Sequence, residues 1–107
     1  MIYLASPYSD PSPIVRQHRH DLVEAFVARN LGKLYIFSPI VYAHEMSLNH
    51  NIPGDAQTWA QFNLHFLRKC DAMWILQLQG WKESKGVAME LKWADELALP
   101  ITYISCE

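Results

Sequence analysis

Several absences narrow what this chain can be. No apolar run approaches the roughly 20 residues that a membrane-spanning helix needs, so no membrane partner is expected. The opening "MIYLASPYS" turns polar too soon for a signal peptide, and a cytoplasmic protein is expected. Neither sign of charge is in excess. Nine Lys and Arg stand against 11 Asp and Glu, a net charge of -2. Broad electrostatic binding to nucleic acid is therefore not expected, although a few local donors could still hold a small phosphate. Cysteine is scarce. Cys70 and Cys106 form no C-x-x-C pair and read as reduced thiols. The histidines His18, His20, His44, His50 and His65 show no pair at helical spacing with a third ligand, so no metal site is expected. Repeats and low-complexity tracts are missing as well.

What remains is an ordinary globular balance. Half of the 107 residues are hydrophobic and 19% are charged, enough for a core without metal or disulfide staples. A single domain over residues 1–107 is expected.

The apolar pattern alternates between two periods. Ile2 to Ala5 reads as a buried strand, closed by the proline-rich "SPYSDPSP". From about Ile14 the period becomes helical, with Val15, Leu22, Val23, Phe26, Val27 and Leu31 on one face and Arg16, Arg19, His20 and Glu24 mostly elsewhere. Gly32 fits a helix C-cap. Leu34 to Ser38 reads as a second buried strand, stopped by Pro39. "VYAHEMSLNHNIPGDAQ" reads as a long polar loop with a turn at Pro53-Gly54-Asp55, of the kind that builds sites. Helix is expected over Thr58 to Lys69, strand over "AMWILQL", helix over Glu83 to Leu97 with Val87, Leu91, Ala94 and Leu97 inward, and a last strand at "PITYIS". Strands alternating with helices predict an α/β fold: a parallel sheet of four to five strands with helices on both faces. Ligands in such folds lie at the carboxyl ends of the strands. That rule points to Ser6–Ser9, Pro39–His44, Gln77–Ser84 and the start of the last helix.

Each candidate there has two readings. Ser84 stands where a helix N-cap belongs, and the same N-terminus could hold a phosphate, with Gly86 leaving the backbone open to a ligand. Glu90 is either a solvated helix position or a carboxylate facing a strand-end cleft. Glu83, Lys85, Lys92, Asp95 and Glu96 already supply a wet face, and Val87, Met89 and Leu91 beside Glu90 are apolar. A carboxylate in a cleft can act as nucleophile or stabilise an oxocarbenium ion. Tyr3 is a core aromatic or a site group. Ser6 and Ser9 are turn formers or anion contacts, with Arg16, His18 and Arg19 as a nearby basic patch. His44 follows the second strand, where a site residue could sit. Trp81 flanks a ligand or covers the core.

Three stretches in order, "IYLASPYS", "CDAMWILQLQGW" and "ESKGVAMELKWADELALPI", resemble the nucleoside 2-deoxyribosyltransferase superfamily. The resemblance spans nearly the whole chain and is closest to small bacterial and phage members. It implies a flavodoxin-like (Rossmann-like) domain that cleaves or transfers the N-glycosidic bond of a nucleotide or nucleoside. It implies no metal or organic cofactor, and a homodimer or higher homo-oligomer. Glu90, at the end of G-x-x-x-E, matches the family's nucleophile, and Tyr3 matches the tyrosine that orients it. Transferases acting on free nucleosides usually carry an aspartate six residues before that glutamate, to hold the 5'-hydroxyl. This chain has Ser84 there, which resembles the branch that hydrolyses nucleoside 5'-monophosphates; a carboxylate would repel the phosphate. Ser6, Ser9 and Arg16 or Arg19 would complete a phosphate site. Asn63 stands where the family commonly has an aspartate that contacts the base and gives it a proton. An amide still binds a base but is a poor general acid. The alternative implied is a non-catalytic nucleotide-binding module of the same fold.

Overall fold

The computed structural model describes residues 1–53 and 56–105. Its strands are β1 (Ile2–Ala5), β2 (Ile36–Phe37), β3 (Ala72–Gln77) and β4 (Ile101–Ser105). Its helices are α1 (Pro13–Arg29), α2 (Pro39–His50), α3 (Ala56–Leu67) and α4 (Lys85–Glu96). The four strands form one parallel sheet in the order β2-β1-β3-β4. The fold is α/β and flavodoxin-like. From β1 the chain crosses outward to β2, then returns over β1 to β3. The reversal leaves a crevice beyond the carboxyl ends of β1 and β3.

Strand alternation sends successive side chains to opposite faces, and each face has its own helices. Tyr3, Ala5, Met73 and Ile75 pack with Leu67 of α3 and with Val87 and Ala94 of α4. Leu4 and Leu76 pack with Val23 of α1 and Ile40 of α2. Because both faces are covered, β1 and β3 read in the sequence as nearly unbroken apolar runs.

Five expectations need correction. Pro39 to His50 is helix, not loop. Ser38 caps it by accepting from the Val41 N–H, Pro39 occupies its first turn, and Asn51 ends it in the left-handed region at φ 54°. The inward stripe of α2 runs through Ile40, His44 and Ser47. Two polar residues on that stripe hid the helical period. In α1, His20 is buried, whereas Leu22 is at the surface and Leu31, beyond the helix end, is 81% exposed. The α1 cap is Asn30, and Gly32 lies in the following turn at φ +85°. The second strand shrinks to Ile36–Phe37, half-buried at the sheet edge, with Tyr35 exposed and Ser38 drawn away as the cap of α2. In α4 the inward positions are Val87, Glu90 and Ala94, while Leu97 is exposed past the last turn. Gly54, Asp55 and Cys106, where the expected turn and one of the two expected reduced thiols fall, lie outside the described residues; Cys70 is a free, buried thiol.

Candidate functional site

A cavity of about 670 Å³ opens where the fold reverses. The loop after β1 contributes Ser6, Tyr8 and Ser9 to its wall. The stripe of α2 contributes Ile40, His44 and Ser47, and α3 contributes Trp59 and Asn63. The start of α4 brings Ser84, Gly86, Met89 and Glu90. Trp59 and Met89, which sequence reasoning did not assign to a site, give the cavity apolar and aromatic surface.

Glu90 is the most perturbed acid in the cavity. It is 7% exposed, and the Tyr3 hydroxyl donates to its Oε2 at 2.5 Å. Burial raises its pKa from the ordinary 4.5 to about 7, while the Tyr3 hydrogen bond pulls the other way. Tyr3 is fully buried. First its own burial, then the carboxylate beside it, push its phenol far above the usual range. The proton therefore stays on Tyr3, which donates to the ionised Glu90. The pair forms because Tyr3 points from β1 to the face that α4 covers, and Glu90 lies on the inward stripe of that helix.

Ser84 is the N-cap of α4, its Oγ accepting from the Val87 N–H at 3.2 Å. The free N–H groups of that first turn border the cavity beside Gly86. Glu83 and Lys85 flank Ser84 in the wall, so their charges oppose each other. The electrostatic character of this end is therefore set by the backbone donors and the helix dipole.

Among the described residues, three buried polar atoms of the wall have no hydrogen-bond partner: Ser6 Oγ, Ser47 Oγ and Asn63 Oδ1. Buried polar atoms are normally satisfied, and an orphan carries a penalty of about 1–3 kcal/mol. All three are open to a hydrogen bond from a group entering the cavity.

The other wall holds a network invisible in the sequence. His44 Nδ1 meets the Tyr8 hydroxyl at 2.6 Å, and its Nε2 meets Gln17 Oε1 at 3.0 Å. His20 stacks on His44 with ring centroids 4.3 Å apart. Burial, first, and then His20 hold the His44 pKa below its ordinary value.

Glu90, Tyr3, Ser84, Gly86, Asn63, Ser6, Ser9 and His44 thus gather at one cavity, with Tyr3 behind Glu90. Arg19 and Trp81 do not line it. The Arg19 guanidinium donates to the carbonyls of Tyr8, Ser9 and Gln79 and ties the β1 loop to the segment after β3. Gly80, at φ +91°, makes room for it, since a Cβ would lie 2.8 Å from its Nη2. Trp81 packs against Tyr103 at 5.6 Å and on the core face of α4. Ser47 and Gln17 were missed. The signal that would have found Ser47 is its position one turn beyond His44 on a Ser-Pro-initiated helix.

Among the described residues, no three His, Cys, Asp or Glu side chains are placed to hold a metal ion, and no helix is long and apolar enough to cross a membrane. Fold and site together define a flavodoxin-like α/β domain with a buried, tyrosine-held carboxylate in a largely apolar cavity at the strand ends. Over residues 1–105 the chain matches the family described as a domain of unknown function, DUF1937, and it belongs to that family. No curated protein matches it.

Proposed function

We propose that the protein cleaves or transfers the N-glycosidic bond of a nucleoside 5'-monophosphate, with Glu90 as nucleophile. The observation that carries this reading is the buried Glu90 carboxylate, held by Tyr3, in one cavity with the capped N-terminus of α4 and the unpartnered amide oxygen of Asn63. The resemblance to nucleoside 2-deoxyribosyltransferases supports the same roles.

The ionised Glu90 attacks the anomeric carbon and the base leaves, giving a glycosyl ester. Tyr3 fixes one carboxylate oxygen and thereby aims the other. A pKa of about 7 leaves a useful fraction ionised at neutral pH and keeps the carboxylate a stronger nucleophile than an ordinary glutamate. The 5'-phosphate sits at the α4 N-terminus, where Ser84 offers a hydroxyl in place of a repelling carboxylate. Asn63 contacts the base, and Trp59 supplies a flat apolar surface in the same wall.

The test is a panel of ribo- and deoxyribonucleoside monophosphates with chromatographic detection of free base. Wild type is expected to release base from at least one, and Glu90→Ala from none. Equal inertness of both proteins across the panel removes the enzymatic reading.

Asn63 favours one second reading, a nucleotide-binding module without turnover, because an amide cannot protonate the leaving base. Nucleotide-induced thermal stabilisation without base release would support it.

A further inference from the structure

The hydrogen bonds behind Tyr8 have a forced direction. Gln17 Nε2 donates to Asp21 Oδ1 at 2.9 Å, and His20 Nδ1 lies 3.0 Å from the same oxygen. The ionised Asp21 carboxylate only accepts, so the Gln17 amide cannot be flipped, and its Oε1 must face His44. Oε1 is an acceptor, so His44 Nε2 carries the proton. In the neutral imidazole Nδ1 is then an acceptor, and the Tyr8 O–H donates to it. The phenol proton is thus turned into the wall. The accepting side of the Tyr8 oxygen faces the cavity and is shared with the Arg16 guanidinium, which hydrogen-bonds it from the side of the smaller pocket.

We propose that Tyr8 is the base that activates the attacking hydroxyl in the second half of the reaction, relaying the proton to His44 with Gln17 and Asp21 as positioning residues. This rests on the glycosidase reading above. In that step a water O–H proton passes to Tyr8 Oη as the Tyr8 proton passes to His44 Nδ1. The water oxygen bonds to the anomeric carbon, and the ester bond to Glu90 breaks with its electron pair returning to the carboxylate. The proton on His44 then leaves to the departed base anion or to solvent, which resets the relay. Burial and the stacked His20 favour a neutral imidazole at rest, and Arg16 acts in the same sense, while Asp21 and Glu45 oppose it. The main cavity also continues past Tyr8, Ser9 and Ser47 into a second pocket of about 360 Å³, which gives water or an acceptor a place on the Tyr8 side.

Two measurements on the full chain test this. Long-range proton–nitrogen NMR should show His44 as the Nε2–H tautomer near neutral pH, with Gln17→Leu weakening that preference. An Nδ1–H tautomer in wild type overturns the relay whether or not a substrate has been found. With the nucleotide that wild type turns over, Tyr8→Phe should release the first equivalent of base per site at close to the wild-type rate. Its steady turnover should then fall about 100-fold or more, the usual reach of a general base. Azide, an anionic nucleophile that needs no base, should restore that turnover. Wild-type turnover in Tyr8→Phe, or loss of the first equivalent together with no azide rescue, overturns the role of Tyr8. Inertness of wild type on every nucleotide sinks the glycosidase reading itself.

Discussion

Glu90→Gln should make the protein more stable, and only above mildly acidic pH. The wild-type carboxyl is buried and its pKa rises from 4.5 to about 7. At 1.36 kcal/mol per pH unit, that rise corresponds to about 3 kcal/mol against holding the ionised form in the fold. The sign follows from proton counts. Between 4.5 and about 7 the folded state binds the proton and the unfolded state does not, so stability falls as pH rises through that window. The contribution is fully present below 4.5 and gone above about 7. Glutamine keeps an oxygen for the Tyr3 hydroxyl and never ionises. The His44 pKa, lowered in the fold, gives the opposite slope over part of this range, but both proteins share it and it cancels in the difference. Urea unfolding at about pH 4.5 and about pH 8 is the assay. The Glu90→Gln advantage over wild type should be about 3 kcal/mol larger at the higher pH, with base release lost throughout. An advantage that does not change with pH, or one that shrinks, would refute the burial argument.

Two further outcomes follow from the same geometry. Tyr3→Phe removes the one interaction that lowers the Glu90 pKa, so the acidic limb of the pH–activity profile should move up by roughly 1–2 pH units, the worth of a charge-assisted hydrogen bond; a limb that stays or moves down contradicts the pairing. Ser84→Asp keeps a good N-cap, so thermal stability should hold, while the ratio of 5'-monophosphate to free-nucleoside turnover falls by about 10-fold or more through charge repulsion. An unchanged ratio would mean the phosphate lies elsewhere.

Much of the fold was legible because both faces of the sheet are covered. Ile2–Ala5 and Ala72–Gln77 are apolar at every inner position, as a strand buried on both sides must be. The strand-end rule then pointed to the end of the molecule where the cavity lies. Legibility failed where polar residues lie inside. His44 and Ser47 on the inner stripe of α2 made a helix look like a loop, and His20 on α1 was assigned to the surface for the same reason. Arg19 failed differently. Its charge suggested an anion contact, but a guanidinium can also be used up by backbone carbonyls, and nothing local distinguishes the two uses. Ser84 is the N-cap, and that reading does not exclude the anion reading, because an N-cap leaves the other N–H groups of the first turn free.

The most direct measurement is peptide mass spectrometry of the protein after acid quench during turnover of a nucleoside monophosphate, with Tyr8→Phe used to slow the second half. A glycosyl phosphate adduct on the peptide carrying Glu90, absent from Glu90→Gln, is the predicted result. Base release with no adduct on Glu90, or an adduct on another residue, would contradict the assignment of Glu90 as nucleophile.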